Sequence, residues 1–140
     1  MSERHWDDYV RILTGARTIA VVGASDAPGK AAHEIPAYLQ SKGFRIIPVN
    51  PHGGSILGVP AVPSLLDVQE RVDVVDVFRP APETPEIARQ AAAIGAGTLW
   101  LQLGIVSDEA ARVARAAGMG VVMNRCLGAV HAELELAGES

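Results

Sequence analysis

Apolar positions along the 140-residue chain gather into short, nearly unbroken runs: Thr18-Ile19-Ala20-Val21-Val22, Phe44 to Val49, Asp73 to Phe78, Thr98 to Leu103 and Gly120 to Met123. These runs are rich in Val and Ile and show little polar alternation, the pattern of strands covered on both faces in a parallel sheet. Between them the apolar spacing lengthens to that of helices. Ala31 to Ser41, Pro85 to Ile94 and Ser107 to Ala117 read as helices, followed by Gly43, Gly95 and Gly118 as C-terminal stops. Thr84 or Glu83 before Pro85, and Ser107-Asp108-Glu109, have the cap and acid content of helix starts. Trp6, Tyr9, Val10 and Leu13 recur at helical spacing, an apolar face that either packs on the chain's own sheet or docks to a partner. The order β-α-β-α-β predicts a Rossmann-like, doubly wound α/β fold. Five main parallel strands in the order 3-2-1-4-5 form the middle of a three-layer α/β/α sandwich.

Composition narrows the class. With 49% apolar residues, 140 positions can bury one sizeable core, so residues 1–140 read as a single domain. A net charge of −4 with interspersed signs lacks the basic stripe of a nucleic-acid surface. No apolar run approaches the roughly 18 residues of a membrane span, and Met1 to Trp6 carries no signal-peptide hydrophobic region, so a cytoplasmic location is expected. One cysteine, Cys126, excludes an internal disulfide and a zinc-type thiolate cluster. His5, His33, His52 and His131 include no pair at metal-site spacing, and no metal is expected.

The first strand runs straight into Gly23-Ala24-Ser25, and a helix follows within a few residues. Strand, tight glycine turn and helix is the arrangement with which α/β folds hold phosphates, because the free N–H groups of the helix start face the incoming anion. Gly23 to Ala31 is not a Walker loop, since five residues separate Gly23 from Gly29 and Ala31 follows Lys30 where Ser or Thr would reach magnesium. It is not a dinucleotide fingerprint either. Ser25 replaces the second glycine, and the second strand ends in Asn50-Pro51 where a ribose-binding acid is expected.

Gly23-Ala24-Ser25, Pro48-Val49-Asn50-Pro51, Leu57-Gly58, Asp73 to Pro80, Trp100-Leu101-Gln102-Leu103-Gly104 and Asn124-Arg125-Cys126 together resemble the small stand-alone CoA-binding proteins. That family is similar to the CoA-binding domain of the succinyl-CoA ligase α subunit, without the ligase's second domain and phosphorylated histidine. The resemblance covers roughly residues 17 to 128 and implies a site for coenzyme A or a short acyl-CoA, not ligase activity. His52 stands where many members carry lysine, and Lys30-Ala31-Ala32 where an arginine followed closely by serine is common.

In a parallel sheet these motifs reach one rim. Gly23, Ala24, the Ser25 hydroxyl and Lys30 suit the pyrophosphate. Asn50, Pro51 and His52, with Phe78, Arg79 and Pro80, are expected to flank the first strand as a wall for adenine, with Phe78, an aromatic ending an apolar strand, alternatively packed in the core. Arg79 is the candidate for the 3′-phosphate, or alternatively a partner of Asp76 or Glu83. Gln102, Leu103 and Gly104 would line the pantetheine arm, whose thiol would point toward Asn124, Arg125 and Cys126. Arg125 and the helix start at Leu127 favour a thiolate at Cys126, against the alternative of a buried inert thiol. No nucleophile elbow or paired acid–base carboxylates stand out. The reading is a binding or regulatory module for a small CoA ligand, with a protein partner or homodimer as a further possibility. The alternative is a small NAD(P)-dependent oxidoreductase with Cys126 as nucleophile.

Overall fold

The apolar runs form one parallel sheet. The computed structural model describes residues 3–138; Met1 and Ser2, the first residues of the segment searched for a signal peptide, lie outside them. In chain order the elements are α1 (Glu3–Gly15), β1 (Thr18–Val22), α2 (Ala31–Ser41), β2 (Arg45–Val49), a two-strand hairpin of β3 (Ser55–Ile56) and β4 (Val59–Pro60), β5 (Val74–Val77), α3 (Thr84–Ala93), β6 (Thr98–Leu101), α4 (Asp108–Ala116), β7 (Gly120–Val122) and α5 (Leu127–Leu136). Single 3-10 turns occupy Leu65–Asp67 and Ala81–Glu83.

The main sheet runs β2-β1-β5-β6-β7. Counted by the five main strands this is 2-1-3-4-5, which corrects the expected 3-2-1-4-5. Pro48 supplies one physical reason. It pairs in register with Val21, yet its carbonyl points outward and accepts from Val62 N–H, so its missing N–H also belongs to the outer side. A strand that lacks this donor suits an edge and not the middle of a sheet. The second reason is handedness. The connection from β2 to β5 carries Leu65, Val68 and Val72 onto the face occupied by α3 and α4, where they join Ile87, Ala88 and Ala91 in one cluster. A right-handed crossover on that face lands beyond β1.

Each sheet face has its own core. On one, Ile19, Val21, Val74 and Trp100 meet Tyr9 and Leu13 of α1, Leu39 of α2 and Leu127, Val130 and Leu134 of α5. On the other, Ala20, Val75, Leu99 and Leu101 meet the alanine-rich faces of α3 and α4. The apolar stripe of α1 is therefore covered by the chain's own sheet. Trp100 is fully buried, packs 5.6 Å from the Tyr9 ring and donates its indole N–H to the Arg125 carbonyl at 2.9 Å.

Helix α3 starts where expected, at Thr84 after Glu83 in the N-cap position, but without a side-chain cap. Ser107 does cap α4, accepting from Ala110 N–H at 3.1 Å. Thr84 instead donates to the Ala81 carbonyl, and Glu83 turns to Arg79. Among the described residues no helix is long and apolar enough to cross a membrane.

Candidate functional site

From β1 the chain moves outward to β2, then returns to β5 on the other side of β1. The loops leaving β1 and β5 diverge to opposite faces, and such a switch point is where open α/β sheets take ligands. A cleft of about 370 Å³ opens there. It gathers Gly23, Asn50, Pro51, His52 and Arg79, together with Glu83, one of the two acids expected as alternative partners of Arg79, and adds Ser64, Ile87 and Gln90, of which only the loop position of Ser64 gave any sequence signal. Because β2 and β5 both pair with β1, the loops at Asn50 and Arg79 flank the first strand directly.

Gly23 has φ +87 and donates its N–H to the Val49 carbonyl at 3.1 Å. A Cβ on it would lie 2.9 Å from Arg79 Cδ and 3.2 Å from the Phe78 carbonyl oxygen. The bare glycine thus permits both the left-handed turn and the seating of the Arg79 stem across it. The guanidinium is held by Glu83 through two bonds, Nε at 3.0 Å and Nη2 at 2.8 Å. That pairing raises the Arg79 pKa and lowers that of Glu83.

The loop from Gly23 to Lys30 is tied down by a proline inside α2. Pro36 has no N–H for the Ala32 carbonyl, and the Ser25 N–H takes that carbonyl at 3.1 Å. The Ser25 hydroxyl oxygen accepts from Ala27 N–H at 3.0 Å, which leaves its O–H as a donor. Ala24 is buried and its carbonyl accepts from Asn50 Nδ2 at 3.0 Å, while Asn50 Oδ1 accepts from His52 N–H at 2.8 Å. Asn50 therefore joins the first two loops. Lys30 occupies the N-cap position of α2, exposed and without a side-chain cap bond.

Two expectations for side-chain direction change. Phe78 packs half-buried against the α1–α2–α5 core and is absent from the cleft lining, as is Pro80. Gln102 is 4% exposed and donates Nε2 to Asp76 Oδ1 at 2.5 Å, so its amide lies beneath the rim and does not line it. Asp76 Oδ2 is buried without a partner, and burial pushes this carboxyl up to about 7, against the lowering effect of Gln102. Asp73, by contrast, anchors the opposite edge. Burial opposes its ionisation but is outweighed by the N–H groups of Thr18 and Arg17, at 3.0 and 2.8 Å, and by Arg71, and its pKa falls.

Beyond Gln102, the β6 and β7 loops make the other half of the rim. Leu103 and Gly104 are exposed, and Gly104 N–H donates to Asn124 Oδ1 at 2.7 Å. Asn124 adopts φ +60, a conformation asparagine tolerates better than most residues. Arg125 folds back to donate Nη1 to the Asn124 carbonyl at 2.8 Å, and half-buried Cys126 stands at the N-cap of α5. These residues share the rim but not the cleft beside Arg79.

A larger cleft, about 530 Å³, lies at the amino-terminal edge, lined by Arg17, Lys42, Phe44, His131 and Glu135. Lys42 and Glu135 neutralise each other there at 2.8 Å. Ligand sites of open α/β sheets form at the carboxyl ends of the strands, so the smaller cleft carries the functional reading. Among the described residues no three His, Cys, Asp or Glu side chains gather to hold a metal ion.

Residues 17–132 match the family described as CoA binding domain. The uncharacterised protein YneT of Bacillus subtilis is 38% identical over 121 residues, 86% of this chain and 90% of its own length. The ADP-forming acetate–CoA ligase II of Archaeoglobus fulgidus is 36% identical over 101 residues, which cover 68% of this chain but 15% of the ligase. The solved structure of cell-free ID.343 from Thermus thermophilus has 40% sequence identity and a TM-score of 0.86, covering 96% of this chain and 99% of that one.

Proposed function

The chain belongs to the CoA binding domain family, and on that premise we propose that it binds coenzyme A or a short acyl-CoA across the carboxyl-end rim. It does so as a binding or regulatory module without catalytic machinery of its own, acting on the cytoplasmic CoA pool. The observation that carries this reading is the cleft beside β1 with Arg79 seated across Gly23. It offers a guanidinium next to a helix start, suited to the phosphorylated nucleoside end of the ligand. The Ser25 hydroxyl and the opening turn of α2 take the pyrophosphate, with Lys30 adding charge. Pro51 and His52 border the adenosine, and Leu103, Gly104 and Asn124 follow the uncharged pantetheine arm toward Cys126. Asn50 at the end of β2, with its amide committed to Ala24 and His52, supports this reading over a dinucleotide site that needs an acid there.

A thermal-shift series with CoA, dephospho-CoA, acetyl-CoA, NAD, NADP and ATP at matched concentrations tests it. A ligand at about 100 times its Kd stabilises by roughly 2.7 kcal/mol, several degrees for a domain of this size. The expected result is a shift with CoA and acetyl-CoA that shrinks with dephospho-CoA. A shift only with NAD or NADP overturns the reading in favour of an oxidoreductase.

A further inference from the structure

Arg79 and Glu83 both line the switch-point cleft, and each is the other's partner. The Arg79 stem lies across bare Gly23, where an added Cβ would meet its Cδ at 2.9 Å and its Cγ at 3.3 Å. Glu83 is the partner that holds the guanidinium, and the one a competing anion has to replace. Glu83 sits at the end of a single 3-10 turn and at the N-cap position of α3, yet makes no capping bond to that helix. It has somewhere else to go, since the opening turn of α3 favours a carboxylate. Both side chains are about half exposed, at 47% and 48%, so the pair is held weakly enough for a competing anion to replace one member.

We propose that Glu83 sets the ligand class of this cleft: its carboxylate occupies Arg79 until a phosphomonoester displaces it, so the site selects nucleotides that carry such a group at the adenosine end. The inference rests on the CoA reading and extends it to a residue that does not bind the ligand. A phosphomonoester brings up to two negative charges and three acceptor oxygens to the fork that one carboxylate now fills. A ligand without that group leaves the pair intact and gains nothing from Arg79. Glu83 is thus a specificity-determining residue through competition.

Calorimetric titration of CoA and dephospho-CoA into wild type, Glu83→Gln and Arg79→Gln decides this. Glu83→Gln is expected to tighten CoA about two- to fivefold, the scale of an exposed ion pair removed from competition, and to leave dephospho-CoA unchanged. Arg79→Gln is expected to abolish the preference for CoA over dephospho-CoA. Equal tightening of both ligands by Glu83→Gln, or no tightening of CoA, overturns the proposal. If neither nucleotide binds wild type, the CoA reading itself fails, and inorganic phosphate followed through the Arg79 Nε resonance tests Glu83 alone. A midpoint at lower phosphate in Glu83→Gln than in wild type upholds competition; identical midpoints overturn it.

Discussion

The two halves of the rim are built from the same kind of part and present opposite chemistry. Beside β1, β2 and β5 an asparagine ties two loops together through Ala24 and His52, and around it stand Arg79, Glu83 and a cleft of about 370 Å³. Beside β6 and β7 another asparagine ties two loops together through Gly104. Around it the surface is apolar, with Leu103 70% and Val106 50% exposed. The cross-ties do the same job of holding loop against loop, so the difference lies in what the loops carry. In the proposed reading, one half takes the phosphorylated nucleoside and the other the long uncharged arm. The nucleoside half keeps its charges at the surface, where they remain exchangeable. At the seam between the halves, Asp76 of β5 is instead buried against Gln102 at the end of β6.

That contrast has its largest consequence at Asp76. Its folded pKa is pushed up to about 7 from an ordinary 3.8 by complete burial. Between those values the folded protein holds a proton that the unfolded chain has released, so unfolding free energy falls as pH rises through this window and levels off above about 7. The full difference is on the order of 4 kcal/mol. Asp76→Asn removes the titration, so urea unfolding from pH 4 to pH 8 should show the decline in wild type and lose it in the variant. Parallel pH profiles would mean that Asp76 finds a partner for Oδ2 in solution.

The exposed half is more sensitive to shape. Gly23→Val forces a β-branched residue to φ +87 and drives its Cβ against Arg79 and the Phe78 carbonyl. A loss of about 3 kcal/mol in unfolding free energy is expected, with displacement of Arg79 from the cleft. Ligand affinity should fall further in this variant than in Arg79→Gln, because the backbone turn and the guanidinium are lost together. Equal affinities would show that the turn tolerates a side chain.

Much of this arrangement is legible in the residues and some is not, for identifiable reasons. Strand positions follow from Val- and Ile-rich runs, and the residues at their carboxyl ends share a rim by topology alone. The strand order was readable too, in Pro48, because a missing N–H on the outer side of β2 leaves that strand at an edge. Side-chain direction was readable only in part. Gln102 follows an apolar strand at the rim, and only the buried Asp76 across on β5 explains why it turns inward. Phe78 packs against the core on the α1–α2–α5 face, the direction an aromatic ending an apolar strand ordinarily takes. The Arg79–Glu83 pair was one of the two alternatives legible for Arg79, and it forms; the seating of the Arg79 stem across a glycine more than fifty residues earlier was not legible.

The smallest expected effect on stability concerns Pro36, and there stability and binding should separate. A proline in a helix interior costs about 3 kcal/mol relative to alanine in model helices, so Pro36→Ala ought to strengthen α2. Here, however, the Ala32 carbonyl that proline frees is taken by Ser25 N–H at 3.1 Å. Alanine restores the internal donor and sets the two N–H groups in competition for one carbonyl. The helix gains a bond and the loop loses one, so net stability should change by less than about 1 kcal/mol. Hydrogen exchange at the Ser25 amide should nonetheless quicken, and CoA affinity should weaken as the loop loses its preorganised form. The exchange measurement needs no ligand and is independent of the functional reading. Unchanged Ser25 exchange would mean that the loop is held by Asn50 and Gly23 alone, and that the proline serves only the buried side of α2.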